Sequence, residues 1–379
     1  MSTIAPVLDG TVAVSTVAAL AVAPRASKRE RQPGLGGFGP DAVLAVVVAL
    51  ILLNQLAFAV YVQRVHGGDP SFIARYLPPG WFAVPRGNPV VDGLAAHTPA
   101  PAVLAPSVLR VQAFLELPLV LLTFAAVLRR LDGSLYRRVF LSPLVPLAAS
   151  SYTVAFCAVE WDLRNPYTTD DLLVRAVSAL VTPVLLARLA AREKEPEGRH
   201  VTAPRLLLFA LELWAYGALM LTLYDTALLY NLARLGDRLP TALAALAVLT
   251  VTRLAATRLA PRPAHPAGPR TTALAGALRA GLVLFLAPAL AVRYAGSFGT
   301  PQLAAAAGAV VLITATARFA IRLALPAVAG IAAGWAAVHW SVSAYYEAAL
   351  LQAATAALLA TVAVCVLLDT IRKPLDALS

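Results

Sequence analysis

The chain is 379 residues long, 59% hydrophobic and only 13% charged, with a net charge of +11 and a mean hydropathy of +0.74. Soluble domains carry roughly 25% charged residues, so this composition excludes a water-soluble globule and makes lipid part of the solvent. The basic excess does not call for nucleic acid. No aromatic-basic module is visible, and basic residues gather on the cytoplasmic side of spanning helices for orientation alone.

Residues 1–40 end on Arg25, Lys28, Arg29, Arg31 and a Gly/Pro-rich stretch, and read as a flexible cytoplasmic tail. The apolar run Thr11–Pro24 within it is short and lacks the basic leader of a signal peptide, although an amphipathic segment at 11–23 fits its pattern. Runs long enough to span, about 20 residues each, then follow at 42–62, 107–128, 139–159, 172–190 and 206–225. Five more lie at 240–259, 273–292, 302–321, 326–343 and 347–368, the last pair as a hairpin with almost no loop. These ten runs predict an all-α fold, a polytopic membrane helical bundle forming one domain over 41–372, with a short tail at 373–379.

About two thirds of the 31 Lys and Arg residues fall in alternate connectors, such as Arg129, Arg130, Arg137 and Arg138. That register places both termini in the cytoplasm, and the arginines need no further role. The opposite, outer face comprises the loop 63–106, the acidic loop 160–171, the segment 226–239 and the turns near 293–301 and 339–347. The alanine, leucine and arginine bias is that of a GC-rich bacterial genome, so the expected location is a bacterial cell membrane.

The outer face carries the chemistry-bearing residues. Glu160, Asp162, Arg164, Tyr167, Asp170 and Asp171 lie within twelve positions. Neighbouring carboxylates split into a proton donor and an acceptor, and their oxygens also suit a divalent cation. Asp170 and Asp171 fit equally as caps of the helix expected from Leu172. Glu116 sits roughly 13 Å below the outer end of its run, where a carboxylate faces the bundle interior or a cavity. Pro118 loosens the helix beside it. Glu212 and Tyr216 share a helix face, with Tyr224 and Asp225 at the outer boundary. His339, Tyr346 and Glu347 stand at the final hairpin, where Gly330 and Gly334 permit close helix packing. Arg293 offers a cation at the outer end of its run. Loop 63–106 holds His66, Asp69 and Trp81, with one short helix expected at 70–77, and suits a lid.

Histidine boxes, H-E-x-x-H, G-x-S-x-G and Walker A patterns are missing from the sequence. Cys157 and Cys365 lie in apolar runs, which argues against a disulfide framework or thiolate metal site. The leading expectation is an enzyme needing no cofactor, with Glu116, Glu160, Asp162, Asp225, His339 and Glu347 as catalytic acids and bases. Arg164, Tyr224, Arg293, Tyr346 and Asp69 would bind a hydrophobic, peptide or lipid-linked substrate, in isomerase, lyase, cyclase or transferase chemistry. Asp69 in the first outer loop and Glu160 and Asp162 after the third run resemble, in spacing alone, the layout of polyprenyl-phosphate-dependent membrane glycosyltransferases. That resemblance implies an outer carboxylate activating the acceptor and basic residues on the lipid phosphate. Two other classes fit the same composition: a proton-coupled transporter using Glu116 and Glu212, and a non-catalytic scaffold or partner subunit in the membrane.

Overall fold

The computed structural model describes residues 39–74, 89–97, 105–150, 153, 157, 168–193, 202–223, 226, 235–259, 268–297, 320–340 and 346–376. Among them the elements are all helical. In chain order they are α1 (Pro40–His66), α2 (Ser71–Ala74), α3 (Pro89–His97), α4 (Ala105–Leu131), α5 (Gly133–Phe140) and α6 (Thr168–Arg192). Then come α7 (Ala203–Leu223), α8 (Leu235–Leu259), α9 (Pro269–Ser297), α10 (Ala320–Trp340) and α11 (Tyr346–Asp376). Six of these, α1, α6, α7, α8, α10 and α11, are long and apolar enough to cross a membrane. The chain is therefore an all-helical, multi-pass membrane protein by length and composition.

Several boundaries differ from those read in the sequence, and proline explains two of them. The expected runs starting at Pro240 and Pro326 begin earlier, at Leu235 and Ala320, with the proline inside the helix. Both prolines lie beyond the first turn, as the sixth and seventh residues of their helices, where each removes one backbone hydrogen bond without ending the helix. Likewise α6 starts at Thr168, which puts Asp170 and Asp171 in its first turn, where they complement the helix dipole. Two short helices replace irregular chain: α3, opened by Pro89, and α5, whose N-cap is Asp132. The expected run 302–321 lies outside the described residues except for its last two positions.

α4 is the central helix and packs on α1, α5, α6, α7 and α9. Leu119, Leu121, Leu122 and Leu128 on α4 are fully buried, joined in one core by Ile51 of α1, Leu186 of α6 and Phe140 of α5. Burying such a side chain is worth about 1.5–3 kcal/mol where water is the alternative; between helices already in lipid, tight packing takes over that role. α7 carries the bundle onward to α8 and α11, and α10 lies along α11. In that last pair Gly334 approaches the chain so closely that a Cβ would stand 3.1 Å from the Ala353 carbonyl oxygen. The outward faces of α8 and α10 expose Leu243, Val251, Ile321, Ile331 and Trp335, the surface expected of a protein solvated by hydrocarbon.

Candidate functional site

Pro118 lacks the N–H that would bond the carbonyl of Phe114, one turn earlier in α4. The Ser178 hydroxyl of α6 donates to that carbonyl at 2.7 Å. Ser178 lies one turn beyond Arg175, so the same contact sets Arg175 opposite Glu116. The Arg175 guanidinium donates to the Glu116 carboxylate at 2.5 Å, and both side chains are buried, 6% and 11% exposed. Two charges removed from water repay their desolvation only in close, hydrogen-bonded geometry. Within a membrane, an ionisable pair facing the bundle interior is a functional candidate by default. Arg110 was the arginine nearest to Glu116 in sequence, but the partner comes from another helix.

A second charged cluster lies where α1 begins and where α4 and α6 end. Arg130 donates to Glu212 at 2.8 Å and to the Tyr216 hydroxyl at 3.1 Å, and it stands 3.5 Å from Asp41. Its guanidinium also lies over the Tyr216 ring, 5.2 Å from the centroid. Tyr216 donates to Asp41 at 2.9 Å. Arg129 pairs with Asp41 at 3.1 Å and with Glu193 beyond the end of α6. Helix dipoles favour this arrangement, with an acid in the first turn of α1 and bases in the last turn of α4. Tyr136 of α5 is fully buried beside the cluster, and its hydroxyl has no hydrogen-bond partner among the described residues. Burial pushes that hydroxyl above the ordinary tyrosine range, and Glu193 adds to the rise while Arg129 opposes it.

Two flanking contacts pin the same end of the bundle. Asp132 accepts from the backbone N–H groups of Ser134 and Leu135 at 3.0 and 3.1 Å and lies 2.9 Å from the Arg279 guanidinium of α9. Burial works against its charge, but the Ser134 and Leu135 hydrogen bonds and Arg279 together hold its pKa below the usual aspartate value. Asp369 of α11 caps α9 from another helix, accepting from Thr271 N–H at 2.9 Å and its hydroxyl at 2.7 Å. Gly268 makes room for it, since a Cβ there would collide with the Asp369 carboxylate.

Of the acids singled out in the sequence, Glu116 and Glu212 are both buried and paired with an arginine of another helix. His339 is exposed on the outward face of α10, stacked on Trp335 with centroids 5.3 Å apart. Asp69 accepts from Ser71 N–H and Oγ–H, both at 2.9 Å, and so starts α2. Glu160, Asp162, Arg164, Tyr224 and Asp225 lie outside the described residues, as does the side-chain placement of Arg293, Tyr346 and Glu347. Glu212 and Tyr216 do share a face, and Arg130 bonds both. Arg175, Arg129, Arg130, Asp41 and Glu193 were not anticipated as a site. Arg175 lies 59 residues from Glu116, and orientation alone accounts for Arg129 and Arg130, so neither pairing had a signal in the sequence. Cys157 and Cys365 are both buried. Among the described residues no group of three or more His, Cys, Asp or Glu could hold a metal ion. Compared with known protein families, curated proteins and solved structures, the chain matches none.

Proposed function

We propose that the chain is a membrane enzyme whose working pair is Glu116 and Arg175. The observation carrying this reading is the buried 2.5 Å ion pair between α4 and α6, set inside a predominantly apolar bundle. In this reading Arg175 turns from Glu116 to the anionic or carbonyl group of a hydrophobic or membrane-tethered substrate. A guanidinium offers five donors in a fork suited to such oxygens. Glu116, released from its partner, then accepts a proton. Isomerisation, elimination, cyclisation or transfer to a lipid-linked acceptor needs only these roles, with no cofactor. Glu160, Asp162, Asp225, His339 and Glu347 are the proposed further acids and bases. Asp69, Arg164, Tyr224, Arg293 and Tyr346 are the proposed substrate contacts. The same proposal includes about ten spans, both termini in the cytoplasm and residence in a bacterial plasma membrane.

The test is lipid and metabolite profiling of cells expressing the wild type or Glu116→Gln at matched membrane levels. A species converted by the wild type and left intact by the variant supports the enzyme. Identical profiles reject it.

One observation favours proton-coupled transport as a second reading. Glu116, Thr123 and Arg130 recur every seven residues along α4, so they form one polar stripe about 21 Å long. Thr123 sits between the two charged sites and reaches Met220 of α7 at 3.2 Å. Substrate accumulating unchanged in vesicles under a proton gradient, and lost in Glu116→Gln, would favour this reading over the enzyme.

A further inference from the structure

We propose that α1 is a gate helix, latched by Asp41, that opens a lateral route from the bilayer to the Glu116–Arg175 pair. The inference rests on the reading of that pair as a substrate site. Three features of α1 carry it.

The first is its packing. α1 packs on α4 and on the short helix α3, whereas α4 is enclosed by five helices. The far end of α1 stops at Gly67, whose left-handed φ of 58° closes the helix.

The second is the charge of the latch. Asp41 is the third carboxylate in a cluster of two guanidiniums. When Asp41 leaves, Arg129 keeps Glu193 and Arg130 keeps Glu212, so release strands neither arginine. Asp41 and Arg129 are 27% and 36% exposed, so water and ions reach the contact and it is worth little net energy. Leu44, Val47 and Ile51 also hold α1 on α4 by apolar packing, so the Asp41 contact is the part of this interface that salt or a change of charge can release.

The third is Gln55, on the buried face of α1 and 1% exposed, whose amide Nε2 has no hydrogen-bond partner among the described residues. An unpaired buried donor costs about 1–3 kcal/mol, so the closed interface is not fully satisfied. Its depth is informative. α1 and α4 meet at Asp41 and Arg130 and run antiparallel. Gln55 lies fourteen residues above Asp41, and Glu116 lies fourteen residues above Arg130. Both therefore stand about 21 Å from the latch. Gln55 thus holds its amide donor at the level of the ion pair, and in the open gate it would take an acceptor oxygen of the substrate's polar head group.

The experiment is a distance measurement on the full-length chain in lipid nanodiscs. Cys157 and Cys365 are replaced by alanine, and spin labels are placed at the exposed positions Leu53 of α1 and Leu173 of α6. A control pair occupies Ile331 of α10 and Leu367 of α11. Asp41→Asn should raise the population of a second Leu53–Leu173 distance by up to about fivefold, what loss of one partly exposed ion pair supplies. The control distance should not change. Asp41→Glu should retain the closed distance. Should Asp41→Asn fail to fold, raising salt on the unmodified latch should produce the same second distance by screening. A single distance that neither Asp41→Asn nor salt alters would overturn the gate. Because no substrate is present, that failure is separate from a failure of the Glu116 profiling experiment.

Discussion

Ser178 donates its hydroxyl to the Phe114 carbonyl at 2.7 Å, and that carbonyl is free because Pro118 has no N–H to give it. The gap that proline leaves in one helix's hydrogen-bond ladder thus becomes the docking point of another. Ser178→Ala should destabilise the protein by about 1 kcal/mol, read as thermal unfolding in detergent. In a Pro118→Ala background the restored N–H satisfies Phe114, so the same serine change should cost clearly less. Additive effects would show that the two residues do not share one acceptor.

The α10–α11 contact depends on two glycines to different degrees. A Cβ at Gly330 would stand 2.9 Å from the backbone oxygen of Ala357 and collide with Thr361, whereas one at Gly334 meets its nearest atom at 3.1 Å. Gly330→Ala should therefore lower stability by about 1–3 kcal/mol, and Gly334→Ala by less. Equal losses would mean that the helices separate freely to admit a methyl group.

Asp132 should make stability depend on pH. Its folded pKa lies below the ordinary value, so its contribution is present above about 4, the unfolded value. It is lost as the pH falls through the folded value. Removing the cap by Asp132→Ala should cost about 1 kcal/mol at neutral pH, and the difference from wild type should shrink in acid. Unfolding midpoints of both proteins between pH 3 and 7 check this, and a constant difference would contradict it.

Much of the fold was legible because lipid imposes long apolar runs, and α1, α6, α7 and α11 follow the expected stretches closely. The starts of α8 and α10 were not, because Pro240 and Pro326 read as first helical residues when they lie inside the helix. Glu116 was legible as a costly buried acid. Arg175 was not, since it lies 59 residues away and only the fold shows which arginine meets it. The arginines at 129 and 130 illustrate a different limit. Orientation accounts for basic residues in a connector, so their pairing with Asp41, Glu193 and Glu212 left no separate trace in composition. The coincidence of α1 starting, and α4 and α6 ending, at one level is a property of three dimensions.

The Glu116–Arg175 pair separates stability from function. Breaking it by Glu116→Leu or Arg175→Leu alone should destabilise by about 3–5 kcal/mol, by stranding a buried charge. Replacing both residues with leucine should restore near wild-type stability, because well-packed apolar side chains commonly match a buried ion pair. The most direct test is the lipid and metabolite profile of cells making this doubly apolar protein at wild-type levels. The account predicts a folded protein that converts nothing. Conversion by the double variant at the wild-type rate would contradict it.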